Sequence, residues 1–170
     1  MDEYNVFLEK QLERINYWLS YAEAKNGALL VINIAILAVM ANFFETIPEI
    51  CAVVMIILII SSVYCLYSFF PDLSNSYKEK EVTCNSSTLN LLFWGDINKI
   101  KSSEDYLKLL KERYYTNLRD DDVYNLIAKD FAEEIMINSH ITVKKYFLFR
   151  RALYVDIVAL LGCILLIVMA

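Results

Sequence analysis

Apolar residues follow two different rhythms along the chain. Leu8, Leu12, Ile15, Leu19 and Ala22 recur at spacings of four, three, four and three, while Glu9, Lys10, Glu13 and Arg14 take other faces. That is the pattern of an amphipathic helix with one packed stripe. The rhythm then gives way to three apolar runs, Gly27 to Phe44, Ile50 to Phe70 and Ile157 to Ala170, of 18, 21 and 14 residues. The third reaches 19 residues if it begins at Ala152 and includes Asp156. A hydrocarbon core about 30 Å thick takes roughly 20 helical residues at about 1.5 Å each, so the second run spans comfortably. Flanking helical sequence, snorkelling or local thinning accommodates the other two. The pattern predicts an all-α membrane protein with three transmembrane helices, at residues 27–44, 50–70 and 152–170. An amphipathic helix at 1–26 precedes them, a short outer hairpin occupies 45–49, and a helical segment at 71–151 lies between the second and third spans.

No proline precedes Pro48, so the leader and first span form one helix of roughly 40 residues, near 60 Å long, with Gly27 as the place for a bend. The stripe covers another helix of the same subunit, in preference to an oligomer seam. Pro71 ends the second span. Asp72 to Thr88, rich in Ser, Asn, Lys and Glu, reads as a polar loop. Leu91 to Ile97 is an apolar patch too short to span, either core or an interfacial segment with the Trp94 indole at headgroup level. Ser102 or Ser103 caps an amphipathic helix carrying Tyr106, Leu107, Leu109 and Leu110, with Glu104 and Asp105 in its first turn. Asp120, Asp121 and Asp122 start a further helix by capping its free amides. No proline follows, so that helix runs on through Lys144, Lys145, Arg150 and Arg151 into the third span.

Charge orients this arrangement. Lys10, Arg14 and Lys25 precede the first span, the segment Pro71 to Arg151 holds the other bases of the 16, and the hairpin Glu45 to Glu49 holds none. By the positive-inside rule the N-terminus and central segment are cytoplasmic and the hairpin lies outside. A net charge of −5 without a basic face gives no sign of nucleic-acid binding. The first apolar run lies too far along, behind a charged stretch, to read as a cleaved signal peptide. Cys51, Cys65, Cys84 and Cys163 form no C-x-x-C pair and read as small apolar residues in a reducing compartment. His140 is the single histidine, which leaves no metal site of His/Cys type and no triad, and it reads as solvated or bonded to a partner. Three glycines exclude most phosphate-cradling loops, the hydrolase and P-loop motifs are missing, and the aspartate run lacks the glycine turn of a calcium loop. The chain does not read as an enzyme, and no cofactor is expected.

Polar residues inside the runs are Asn33, Asn42, Ser61, Ser62 and Asp156. An ionised carboxylate at mid-membrane costs about 2.5–3.5 kcal/mol on insertion scales, less near the edge. Asp156 therefore needs a partner, and Lys25, at the same cytoplasmic depth, is the one expected. Snorkelling of Asp156 to water is the alternative.

Several strings, taken in order, resemble the Pycsar transmembrane effector family. Ala22-Glu23-Ala24-Lys25-Asn26-Gly27-Ala28-Leu29-Leu30 is similar to that family's acidic-x-Lys-x-Gly-x-Leu-Leu opening of the first span, with Glu23 where aspartate is frequent and Asn26 where a small residue is usual. Tyr67 to Pro71, Leu91 to Ile97 and Asp105-Tyr106-Leu107-Lys108-Leu109-Leu110 follow in the family's order. Lys145 to Ala152 resembles its Lys-Tyr and Leu-Arg lead into the last span, with Phe149 separating Leu148 from Arg150. The resemblance implies an anti-phage effector of the bacterial inner membrane. A cyclic pyrimidine nucleotide, cyclic CMP or cyclic UMP, made by a partner cyclase would activate it, and its action would impair the membrane in abortive infection.

A nucleotide ligand needs a phosphate partner and a base platform. Arg113, Arg119, Lys144 and Lys145 are the candidates for phosphate, and Trp94, Tyr106, Tyr114 and Tyr115 for stacking. Juxtamembrane bases also anchor to lipid headgroups, and helix tyrosines also pack. Three short spans cannot enclose a wide aqueous path alone, so self-association into a homo-oligomer is expected. A related two-span effector answering another cyclic nucleotide, and a constitutive scaffold or channel subunit, are the competing readings.

Overall fold

A computed structural model describes residues 3–45, 48–71 and 88–169, with side chains of the last helix described to Ile164. Thr46 and Ile47 of the expected hairpin, and the expected polar loop with Cys84 up to residue 87, lie outside the described residues. The described residues form six helices joined by short turns: α1 (Glu3–Phe43), α2 (Pro48–Ser68), α3 (Trp94–Ile97), α4 (Ser103–Tyr114), α5 (Asp120–Val123) and α6 (Leu126–Met169). Leader and first apolar run are one unbroken helix of 41 residues, continuous through Gly27. α1 and α2 are long and apolar enough to cross a membrane.

The chain divides into two compact units, and α1 and α6 contribute to both. The first comprises residues 1–20 and 72–143, the second, here called the apolar unit, residues 21–71 and 144–170. In the first unit the leader stripe is buried at Leu8 and Ile15 with Tyr4 beside them, against Leu91, Ile97, Tyr106, Leu107, Leu110, Ala132 and Ile135. The Leu91–Ile97 patch is therefore core, with Trp94 partly buried against it. Ser102 caps α4, its Oγ accepting from the Asp105 amide at 3.1 Å and donating to Asp105 Oδ2 at 2.9 Å, which satisfies one otherwise orphaned helix amide.

The expected single helix from Asp122 into the last apolar run is instead two. α5 ends at Val123 and α6 begins at Leu126. Asn125 makes the break: its Oδ1 accepts from the Ala128 amide at 2.8 Å, capping α6, and its Nδ2 donates to the Asp122 carbonyl at 2.7 Å. The aspartates do not cap α5, which has no side-chain cap. Asp120 pairs with Lys111 and Asp122 with Arg119.

In the apolar unit the packed face is made of small and medium residues. Leu29, Cys51, Val54, Leu58, Cys65, Ala152 and Ala159 are buried, while Val31, Ile56, Val63 and Leu161 point outward. Cys51, Cys65, Ala152 and Ala159 on the packed face, with aliphatic side chains turned outward, follow the preference of helices that pack in lipid for small residues at their contacts. Gly162 lets α6 approach α2 closely, since a Cβ there would stand 2.9 Å from Val54 Cγ2.

Candidate functional site

The first unit carries an open cleft of about 440 Å³ lined by Lys108, Lys111, Glu112, Thr116, Asp120 and Tyr124. The lysines sit three residues apart on α4, so they share a face. Lys111 pairs with Asp120 across the cleft. Of the sequence candidates, Arg119 lies at the start of α5, its side chain 85 % exposed and its Nε 3.1 Å from Asp122 Oδ2. Tyr114 is likewise exposed.

Tyr106 and Arg113 take structural roles instead. Tyr106 is fully buried and donates from its hydroxyl to the Leu91 carbonyl at 3.2 Å, and the Arg113 guanidinium donates to the Leu89 carbonyl. Together they fasten the 89–91 segment to α4. A ring with no exposed surface cannot stack on a ligand, which corrects the expectation for Tyr106. Tyr115 packs edge-on against Tyr4 at 5.0 Å and Phe7 at 5.5 Å, and Trp94 packs against Phe93 at 4.8 Å. Burial pushes the Tyr106, Tyr4 and Tyr115 phenols up from their ordinary range. The Lys99 ammonium, 2.6 Å away, holds the Asp96 carboxyl below the usual carboxylate range, helped by the Asn90 amide at 3.1 Å and opposed by burial. His140 Nδ1 lies 2.9 Å from Asn98 Oδ1, a partner-bonded histidine.

The apolar unit contains a second polar constellation. Lys145, 7 % exposed, donates to the Ser68 carbonyl at 2.7 Å and pairs with Glu23 at 2.9 Å. Asn26 donates to the Ala22 carbonyl at 2.9 Å and to the Lys145 carbonyl at 3.3 Å. The last turn of α2 has no basic residue of its own, and Lys145 supplies from α6 the positive charge that a helix C-terminus favours. Lys145 is thus a clamp among α1, α2 and α6, which corrects its expected role as a phosphate contact. Lys144 lies over the Tyr67 ring at 5.9 Å.

Lys25 and Asp156 do not meet. The Lys25 ammonium sits over Tyr21 at 4.7 Å, Tyr146 at 5.4 Å and Phe149 at 5.5 Å, a cation–π cage that replaces the expected carboxylate. Asp156, 6 % exposed, has no hydrogen-bond partner at either carboxyl oxygen. Lys25 is level with Tyr146 and Phe149 on α6, whereas Asp156 is level with Asn33, eight residues further along α1 and about 12 Å away at about 1.5 Å per residue, so the two charges do not share a depth.

The Pycsar effector protein domain matches residues 7–170, nearly the whole chain. The chain belongs to the Pycsar effector family. No curated protein and no solved structure matches it significantly. Membership makes this a Pycsar anti-phage effector, and with two apolar helices long enough to cross a bilayer, a membrane protein. Two strings that carry the Pycsar resemblance, opening the first and last apolar segments, are those that touch: Glu23 and Asn26 bond Lys145, and Lys25 covers Tyr146 and Phe149. Of the other three strings, Tyr67 to Pro71 joins the same contact through the Ser68 carbonyl, and Leu91 to Ile97 pairs with Asp105 to Leu110, Tyr106 bonding Leu91. Sequence reading found the strings and missed the pairing. The buried Gln11, donating to the Leu92 carbonyl at 3.1 Å, was also missed. The signal for it was its place one step from Leu8 and Ile15 on the same helical face.

Proposed function

We propose that this Pycsar effector resides in the bacterial inner membrane with its N-terminus and the 71–151 segment in the cytoplasm. A cyclic pyrimidine mononucleotide, cyclic CMP or cyclic UMP, from a cognate cyclase activates it, and it then impairs the membrane, causing abortive infection. The family match over residues 7–170 carries this reading. The final segment, residues 152–170, forms the third span in this proposal. α1 and α6 each run from the first unit into the apolar unit, so a ligand that prefers one arrangement of the first unit biases the helices that continue into the membrane. Self-association into a homo-oligomer supplies the path or the lipid perturbation.

The cleft on α4 suits a small anionic nucleotide. Lys108 offers a cation to the phosphate and Thr116 a hydroxyl, Lys111 adds a second cation on exchanging Asp120 for the phosphate, Tyr124 offers a ring face to the base, and Arg119 stands nearby in sequence just before α5. Calorimetry of the purified protein with cyclic CMP, cyclic UMP, cyclic AMP and cyclic dinucleotides tests the ligand. Heat with a cyclic pyrimidine nucleotide, lost in Lys108→Glu, supports the cleft. Heat that survives Lys108→Glu and Lys111→Glu moves the site elsewhere, and silence with every nucleotide overturns the activation reading. Depolarisation of cells carrying an active cyclase, and not a catalytically dead one, tests the output.

A further inference from the structure

Three polar side chains, one from each of α1, α2 and α6, come together in the core of the apolar unit: Asn33, Ser61 and Asp156. Asn33 and Ser61 are fully buried. Asn33 Nδ2 donates to Ser61 Oγ at 3.0 Å, and Ser61 Oγ donates to the Ala152 carbonyl at 3.2 Å. The Asp156 carboxyl lies within donor reach of both, while their well-aligned hydrogen bonds go to Ser61 and to the Ala152 carbonyl, which leaves its two oxygens and Asn33 Oδ1 without an aligned donor. Asn42 and Ser62 bond carbonyls of their own helices, Ala38 at 3.3 Å and Leu58 at 2.8 Å, and Ser68 Oγ, buried without a partner, is a hydroxyl that carries no charge.

Three buried acceptor oxygens and a hydroxyl are therefore gathered where the described residues bring no positive charge. The basic side chains of the unit are engaged elsewhere, Lys25 with three rings, Lys145 with Glu23 and Ser68, Lys144 with Tyr67, and Arg150 and Arg151 with Phe147. The titratable group facing Asp156 from α2 is the Cys65 thiol, which carries no positive charge, and α1 presents the uncharged Asn33. α6 itself places no other charged group against it. A buried carboxylate without a compensating charge is the expensive case in a low-dielectric core.

We propose that Asn33, Ser61 and Asp156 form a binding site for one small monovalent cation, a proton or an alkali ion. The donor set is all oxygen and carries a single formal charge, the chemistry of a hard monovalent cation. A proton on Asp156 donates to Asn33 Oδ1 and completes a ring of hydrogen bonds from α6 to α1, from α1 to α2 and from α2 back to the Ala152 carbonyl of α6. An alkali ion draws in the same oxygens. Either occupant ties the three helices together, and its departure loosens them. This site is independent of the nucleotide reading and is tested without nucleotide.

The test uses the full chain purified in detergent, with the thermal midpoint of helix unfolding read for wild type, Asp156→Asn and the exchange variant Asn33→Asp/Asp156→Asn. Each is measured across a pH series, and with sodium against choline at constant ionic strength. A native-state site makes stability follow cation supply, and a tenfold change moves the midpoint by up to about 3–5 °C. With a proton as occupant, the wild-type midpoint falls as pH rises, sodium has no effect, and the infrared carboxylic-acid stretch of the wild type is missing from Asp156→Asn. With an alkali ion as occupant, sodium raises the wild-type midpoint over choline. In both cases Asp156→Asn loses the dependence and the exchange variant, with its carboxyl moved to α1, regains it. If wild type and Asp156→Asn respond alike to pH and to sodium, and their infrared spectra show no carboxylic-acid difference, the site does not exist.

Discussion

Replacing Lys145 by Met removes the ammonium of the apolar unit's clamp and keeps most of the aliphatic stem. The ammonium makes a charge-assisted hydrogen bond to the Ser68 carbonyl at 2.7 Å and an ion pair with Glu23 at 2.9 Å. A hydrogen bond to a charged group contributes about 1.5–3 kcal/mol. The Glu23 side chain is 47 % exposed, so its pair is screened and contributes only about 0–1 kcal/mol. Against these stands the desolvation of a buried ammonium, which the substitution relieves. Glu23 rehydrates when its partner leaves, whereas the Ser68 carbonyl at the end of α2 keeps no replacement cation, since the last turn of α2 has no base. The balance is a loss of about 2 kcal/mol. Unfolding of the purified protein in mixed micelles, followed by helical circular dichroism, measures it. Glu23→Gln should lose less than about 1 kcal/mol by the same assay, because it leaves the carbonyl contact in place. Wild-type stability of Lys145→Met would mean that desolvation cancels the contacts, and the clamp would then fix geometry without adding stability.

Gly162→Leu should separate α6 from α2, because even a Cβ meets Val54 at 2.9 Å; a loss of about 1–3 kcal/mol is expected, and Val54→Ala in the same chain should recover part of it in a melting assay. Asn125→Ala removes the cap of α6 and the bond to Asp122 and should cost about 1–2 kcal/mol, with faster amide exchange at Ala128. The raised phenols of Tyr4, Tyr106 and Tyr115 set the alkaline limit of the first unit. Their folded-state affinity for the proton exceeds the unfolded one, so their contribution is intact below about pH 10 and declines as pH rises beyond it. Tyr106→Phe should shift that decline upward in an alkaline unfolding titration. Asp96 acts with the opposite sign. Its depressed value gives stability present above about pH 4 and lost as pH falls further, and Asp96→Asn should flatten the acid limb of the same titration.

Periodicity made the helices legible, and charge and caps made their ends partly so. The leader stripe reads correctly at Leu8, Ile15 and Ala22, which are fully buried, while Leu12 is only partly so and Gln11 takes a fully buried place on the same face. A polar residue on the inner face is invisible to a hydropathy pattern unless its partner is known, and Gln11's partner is a carbonyl 81 residues away. The break before α6 has the same cause. Asn125 is an ordinary N-cap residue, but with neither proline nor glycine beside it, its two hydrogen bonds show only in three dimensions.

Lys25 and Asp156 carry the most instructive departure. Their relative depth is misread from sequence, because it depends on the axial stagger of α6 against α1, which sequence position alone does not give: Lys25 is level with Tyr146 and Phe149, and Asp156 with Asn33. Three aromatic rings hold Lys25 where α1 meets Tyr146 and Phe149, and Asn33 and Ser61 stand beside Asp156 about two turns further along. The separation turns one expected ion pair into two unlike elements, a basic residue caged by aromatics beside the Lys145 clamp and an acid with no counter-charge in the packed core. An ion pair would have neutralised both groups permanently. An acid whose compensation comes from solution can instead exchange its partner, and helices held through such an acid have two states of cohesion that a sensor can bias.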